Sequence, residues 1–396
     1  MKCKFLLLGF FITVCLLIST ISPTFGQFGK RAKRASLKTR NKQISRFTVR
    51  TDFSKSKKYI SFGGGIGATN YFGDLAPRAR RGSSALGYTR TYTTGFYLHR
   101  IHPHITIRGG LTWMRLRGDD YSVANVTNPT ADDKGRFVRN LSFRNDIFEA
   151  SAVGMFDLFP TDRGYLRRSF LNPYAVIGLA FFHHNPQAKT PTSDAKTPNL
   201  KKSNDWVDLQ PLGTEGQYTG IPGTPAPYSL WQIGIPLGLG IRYRLADKWD
   251  LSLEICYRFV FTDYIDDVSS KYPSDEVYDK MIADGNNLGV TMSNRSAEKY
   301  AAVDNEDRTN KLRSMKINPT IEKYPFMLLV NDKGEPILSK EKQLQYVEPK
   351  TSDFVRFNGN ENNAAPRGNK RRDYWLNTAF HLAYILEIKQ KPPKFR

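Results

Sequence analysis

The stretch Trp249–Phe261 reads WDLSLEICYRFVF. Its odd positions are Trp249, Leu251, Leu253, Ile255, Tyr257, Phe259 and Phe261, all apolar. Between them stand Asp250, Ser252, Glu254, Cys256, Arg258 and Val260. Successive side chains of a strand point to opposite faces, so a strict period of two predicts a strand with one oily and one mostly polar face. An ordinary half-buried strand would satisfy the same pattern. The rest of the chain decides what lies against the oil.

Seven further segments alternate, PYAVIGLAFFHH the least clearly. They are YISFGGGIGATNYF from Tyr59, GYTRTYTTGFYLH from Gly87, HITIRGGLTWM from His104, NDIFEASAVGMFDLF from Asn145, PYAVIGLAFFHH from Pro173, LWQIGIPLGLGIRYR from Leu230 and YWLNTAFHLAYILEI from Tyr374. The expected apolar faces include Ile60, Phe62 and Ile66 in the first, and Tyr88, Tyr92, Phe96 and Leu98 in the second. Most segments exceed the roughly 9–11 residues that a tilted strand needs to cross a bilayer. Their connections alternate short and long. Arg100–Pro103, Pro160–Leu171 and Leu245–Lys248 are short; the other four are longer, and Asp263–Asp373 exceeds a hundred residues. Short periplasmic turns opposite long extracellular loops are the rhythm of outer-membrane barrels.

The expected fold is therefore all-β: an eight-stranded antiparallel up-and-down transmembrane outer-membrane β-barrel with long extracellular loops. The oily faces meet outer-membrane lipid, and closure leaves no sheet edge unpaired in hydrocarbon. Trp113, Trp249, Tyr243 and Tyr374 at strand ends suit interfacial girdles. The inward charges are Arg108, Glu149, Arg242, Glu254, Arg258, His381 and Glu387. A barrel this narrow holds only its own side chains, so these groups must pair and form a plug. Pro236 forfeits a ladder bond and should mark a bulge or local break.

The chain is 396 residues with a formal charge of +22 and a mean hydropathy of -0.49. Such charge raises nucleic acid as a partner, but the N-terminus argues against it. Lys2 and Lys4 precede the apolar run Phe5–Ile18, which reads as a secretory signal over 1–26. A basic arm over 27–58 follows. From Lys30 to Lys58 it holds twelve lysines and arginines against the single acid Asp52. Lys30, Arg31, Lys33 and Arg34 are its candidate docking residues for an acidic partner or anionic lipid; a solvated leader is the alternative. Cys3 and Cys15 leave with the signal, so Cys256 has no partner for an intrachain disulfide.

The division is then signal 1–26, arm 27–58, strands one to seven with their loops 59–262, long extracellular loop 263–373, strand eight 374–390 and basic tail 391–396. An even strand number puts both termini in the periplasm.

Four pieces resemble the PorG-like outer-membrane barrels of Bacteroidota, which are associated with type IX secretion. These are GATNYFGDL (Gly67–Leu75), NPYAVIGLAFFHHNP (Asn172–Pro186), IGIPLGLGIRYRL (Ile233–Leu245) and YRFVFTDYIDDVS (Tyr257–Ser269). The last is the most specific. The resemblance marks Tyr71, Phe72, Gly73, Asp74, Asp263, Tyr264, Asp266 and Asp267 as structural or interface residues. It implies a non-enzymatic scaffold that tethers a periplasmic secretion ring built from a lipoprotein and its partner. The long basic arm and the ending KQKPPKFR depart from a minimal member.

Other chemistry finds less support. Asp263, Asp266 and Asp267 lack the spacing of a calcium loop, and His183–His184 reads as a strand end, so no metal or cofactor is expected. No serine or acid can be set beside His381, so no enzyme is expected. The basic residues lack interleaved stacking aromatics, so nucleic acid is not expected. FMLLVNDKGEPIL, Phe326–Leu338, reads as a hairpin in the last loop. Surface binding by the long loops is the alternative function.

Overall fold

The computed structural model describes residues 58–76, 86–124, 127, 131–161, 164–191, 205–269, 271–295, 298, 300–308, 310–311, 367–368 and 372–386. The signal, the basic arm up to Lys57 with Lys30, Arg31, Lys33 and Arg34, the hairpin 326–338, Glu387 and the basic tail lie outside the described residues.

Among the described residues nine strands form one sheet: β1 Ile60–Phe72, β2 Arg90–His102, β3 Ile105–Asp119, β4 Ser142–Asp157, β5 Leu171–Lys189, β6 Trp206–Asp208, β7 Trp231–Ala246, β8 Trp249–Val260 and β9 Tyr374–Leu386. The order is β4-β3-β2-β1-β9-β8-β7-β5, and β4 also pairs with β5. Every pairing is antiparallel. The sheet thus closes into an eight-stranded up-and-down barrel, with the three-residue β6 added to the far end of β5. No described helix is long and apolar enough to cross a membrane. The crossing elements are the strands.

The outer wall is apolar. Ile66, Leu111 and Leu179 are 69%, 71% and 63% exposed, and Phe62, Phe148, Ile233, Ile241, Ile255 and Phe380 stand with them. So large a continuous exposed apolar surface has no place in water and marks a lipid-facing wall. In the opening stretch the even positions from Asp250 to Val260 are all buried, as its alternation requires. Pro236 interrupts the ladder on one side. Pairing between β5 and β7 lapses from Ile177↔Leu237 to Ala180↔Gly234, while the β8 side runs through.

One strand corrects the sequence reading. The apolar face of β2 points inward, not to lipid: Tyr92, Phe96 and Leu98 are buried, as is Tyr88 just before the strand. Its outward positions carry Thr91, Thr93, Gly95 and Tyr97. The reason lies in the neighbouring strand. Phe62 pairs with Tyr97 and Gly63 with Phe96, so β1 sets the parity of β2. The inward positions of β1 include Gly63 and Gly65, where a Cβ would collide with Phe96 and with the His381 ring. The volume those glycines leave empty is filled by β2.

β3, β4 and β5 run further than the alternation suggested, and their polarity inverts beyond the girdle. Arg115, Arg117 and Arg144 are on the outside, while Met114, Leu116, Phe143 and Ile147 are buried inside. This end holds an apolar core that also includes Tyr71, Leu75, Phe182, Val260, Ile265, Val268 and Trp375. Among the described residues four helices sit in the long connections: α1 Asp120–Val123, α2 Ala131–Arg139, α3 Asp275–Ala283 and α4 Asn287–Ser293. The segment after Phe261 therefore does not leave the barrel as a free loop. Ile265 and Val268 are within 1% of full burial in the end core.

Candidate functional site

The barrel interior is crossed by ion pairs. Arg108 on β3 and Glu254 on β8 bond through both guanidinium nitrogens, at 2.7 and 2.8 Å. In the strand order these two strands are four apart in a ring of eight, so this pair spans the bore. The Tyr174 hydroxyl donates to the same Glu254 at 3.0 Å, and His381 Nδ1 lies 3.9 Å from it. Arg258 on β8 reaches Glu149 on β4 at 2.9 and 3.0 Å, with its third nitrogen 2.6 Å from the Cys256 sulfur. Towards the short-turn end Asp157 joins Arg242, at 3.0 Å, and Arg100; Arg168 joins Asp250 at 2.8 Å. All these acids and arginines are buried. Bidentate geometry is what makes a buried pair tolerable, because each lone charge would cost several kcal/mol.

The structure thus places Arg108, Glu149, Arg242, Glu254, Arg258 and His381 inside the barrel. Sequence reading missed Arg100, Asp157, Arg168 and Tyr174, and it set Asp250 on the polar face of its strand without counting it among the inward charges. Asp157 and Tyr174 continue the inward parity of β4 and β5, a signal that was present. Arg168 lies in a turn, where no periodicity announces it.

The motif residues meet at the long-loop end. The Tyr71 hydroxyl lies 2.8 Å from Asp266 and 2.6 Å from Asp373. Asp266 also accepts from the Leu75 and Val268 amides, and Asp373 from the Ile265 amide at 2.9 Å. Gly73 is needed beside them, since a Cβ there would strike the Tyr71 hydroxyl and the Asp373 carboxyl. Asp74 is buried, and its carbonyl accepts from Arg139 of α2 at 3.0 Å. Phe72 points the other way and stacks on Tyr374 at 5.1 Å.

Asp267 sits in the left-handed region, φ 64°, a conformation few non-glycine residues adopt. Surrounding contacts hold it there: Thr214 at 2.5 Å, Tyr228 at 2.7 Å and Arg367 at 3.5 Å. Arg367 also pairs with Glu215 at 3.1 Å. Tyr264 stacks face to face on Tyr228, centroids 4.6 Å apart. Asp263 is half-buried and accepts from Ser269 at 2.9 Å. Burial pushes Asp263 up to about 7 and Asp267 up to about 6, the latter opposed by Arg367. Burial, with the repulsion between Asp266 and Asp373, lifts this pair above the carboxylate range, so that one of the two holds a proton.

Among the described residues no group of three His, Cys, Asp or Glu side chains could hold a metal ion. His184 is buried against Asn145 and the Ser229 carbonyl, while His183 rests on Trp231 at the wall. What the arrangement does chemically is join strand ends to loops.

No protein-family model matches the chain, and no curated protein matches it. Solved structures similar to it include the following three. Neisserial surface protein A is 12% identical, covering 52% of this chain and 85% of that one, with a TM-score of 0.26. A major outer membrane protein from Thermus thermophilus is 12% identical over 83% of this chain and 99% of that one, TM-score 0.32. Ail, the attachment invasion locus protein of Yersinia pestis, is 7% identical over 50% and 85%, TM-score 0.24. The barrel assignment rests on this chain's own strand pairing and wall.

Proposed function

We propose that this chain is a non-enzymatic outer-membrane barrel that works as an anchor and not as a pore. The observation that carries this reading is the Arg108–Glu254 pair across the bore, backed by the apolar core at the long-loop end. A barrel so filled has its surfaces left to act with: the wall, the loop end and the short-turn end. The four sequence pieces that resemble PorG-like barrels favour a scaffold for a periplasmic type IX secretion assembly. In that reading both termini lie in the periplasm, and the arm 27–58 docks by charge on a ring of lipoprotein and partner.

The test is a pull-down of the tagged barrel from gently solubilised envelopes, at low and high salt, beside a version lacking Gln27–Lys58. Recovery of ring components, lost at high salt or without the arm, supports the scaffold. A barrel that comes out alone turns the reading to a stand-alone surface barrel. The described part of the long loops favours that second reading in one respect: α3, α4 and the segment 209–230 pack as an ordered cap at the loop end.

A further inference from the structure

Three buried oxygens meet at the end of β1 with too few protons to account for them. Tyr71 Oη lies 2.6 Å from Asp373 Oδ1 and 2.8 Å from Asp266 Oδ2. A phenol carries one proton and can donate along only one of these contacts. The other brings two lone-pair oxygens together unless a carboxyl group supplies a proton. All three side chains are buried, so water does not resolve the conflict.

The backbone donors identify the acid. Asp266 accepts at both oxygens: Oδ1 from Val268 N–H at 3.1 Å, and Oδ2 from Leu75 N–H at 3.2 Å. Among the described residues Asp373 accepts an N–H only at Oδ2, from Ile265 at 2.9 Å, and turns Oδ1 to the tyrosine. N–H donors favour the ionised form, so Asp266 is the better carboxylate. We propose that Asp373 is a carboxylic acid at neutral pH, that it donates from Oδ1 to Tyr71 Oη, and that Tyr71 donates to ionised Asp266. This proton latches residues 263–268 and 372–373 onto the end of β1.

The surrounding charges agree. Asp74 follows β1, and Asp263 and Asp267 flank Asp266, all acidic. Arg139 is the near cation on α2, and its field favours the charged form of Asp266, but its fork is held by Asp120 at 2.7 Å through both oxygens. Arg367 is held by Glu215 and Asp267. Arg372, beside Asp373, lies over the Phe261 ring at 5.7 Å. Tyr272 is buried and close to Arg139 and Arg367. Among the described residues no basic side chain forms an ion pair with Asp266 or Asp373. An acid whose folded pKa is raised stabilises fully below its unfolded pKa and loses that contribution as pH rises through the folded value. The latch therefore weakens in alkali.

The experiment uses the full mature chain in phosphatidylcholine nanodiscs. Infrared spectra of the wild type just above pH 8, where Asp263 and Asp267 are ionised, should show a buried carboxylic-acid C=O band that shifts in D2O and fades as pH rises further. Asp373→Asn should abolish the band yet keep the cap protease-resistant and remove the loosening in alkali, because the amide can donate where the acid did. Asp266→Asn should open the cap, raising proteolysis roughly tenfold, because an amide cannot accept N–H bonds at both ends. The absence of the band in the wild type overturns the proposal even if neither variant folds. Loss of the band in Asp266→Asn, with its retention in Asp373→Asn, overturns the assignment.

Discussion

Tyr71 and Asp266, 195 positions apart, meet at 2.8 Å and tie the end of β1 to the segment that follows β8. Replacing Tyr71 by Phe keeps the ring against Phe143 but leaves two buried carboxyl oxygens without their common partner. An unsatisfied buried group costs about 1–3 kcal/mol. Tyr71→Phe should open the cap to protease without unfolding the barrel, seen as unchanged heat-dependent gel mobility.

Half of a lumen pair is worse than none. Arg258→Met leaves Glu149 charged and buried, which should cost roughly 3–5 kcal/mol in denaturant unfolding from micelles. The double variant Arg258→Met/Glu149→Leu should recover most of that loss. A double-mutant cycle reads the coupling directly.

The intact bore should not conduct. Wild-type barrel in planar bilayers is expected to show no steady conductance steps. Arg108→Ala/Glu254→Ala, which removes the chord across the bore, should admit small ones.

The glycines of the wall and the lumen should respond in opposite ways. Gly65→Val drives a side chain into the His381 ring, whereas at Gly95 nothing lies within 4 Å of a new Cβ. Overpacking costs about 1–3 kcal/mol, so Gly65→Val should lower the unfolding midpoint and Gly95→Ala should leave it nearly unchanged.

The cap should be firmer in acid than at neutral pH. Asp263 and Asp267, raised by burial to about 7 and about 6, both bind protons more tightly in the closed cap than when released. Their contribution is complete below the unfolded carboxylate range near 4 and is lost as pH rises to about 7. Hydrogen exchange over 263–269, corrected for intrinsic rate, should therefore speed up across that window. Asp263→Asn should flatten part of the profile.

The alternation in Trp249–Phe261 determined a strand with one oily face; the rhythm of turns pointed that face to lipid, set eight strands for the barrel and marked which ends carry long connections. Period two is a local property, so it can be read without knowing any neighbour. It could not decide the facing of β2, because an apolar stripe fits lipid and lumen equally well; the register with Phe62 and Gly63 decided it. Nor could it extend β3 and β4 past the girdle, where apolar residues turn inward because water replaces lipid outside. Arg108 and Arg258 were visible as inward charges, but their partners were not. A chord across the bore joins residues 146 positions apart in one case and 109 in the other. Asp373 was the least legible, since nothing in its local sequence separates it from a loop acid. Only closure of the barrel brings it to Tyr71, 302 positions away, and low dielectric at that point turns two ordinary carboxyls and a phenol into a site.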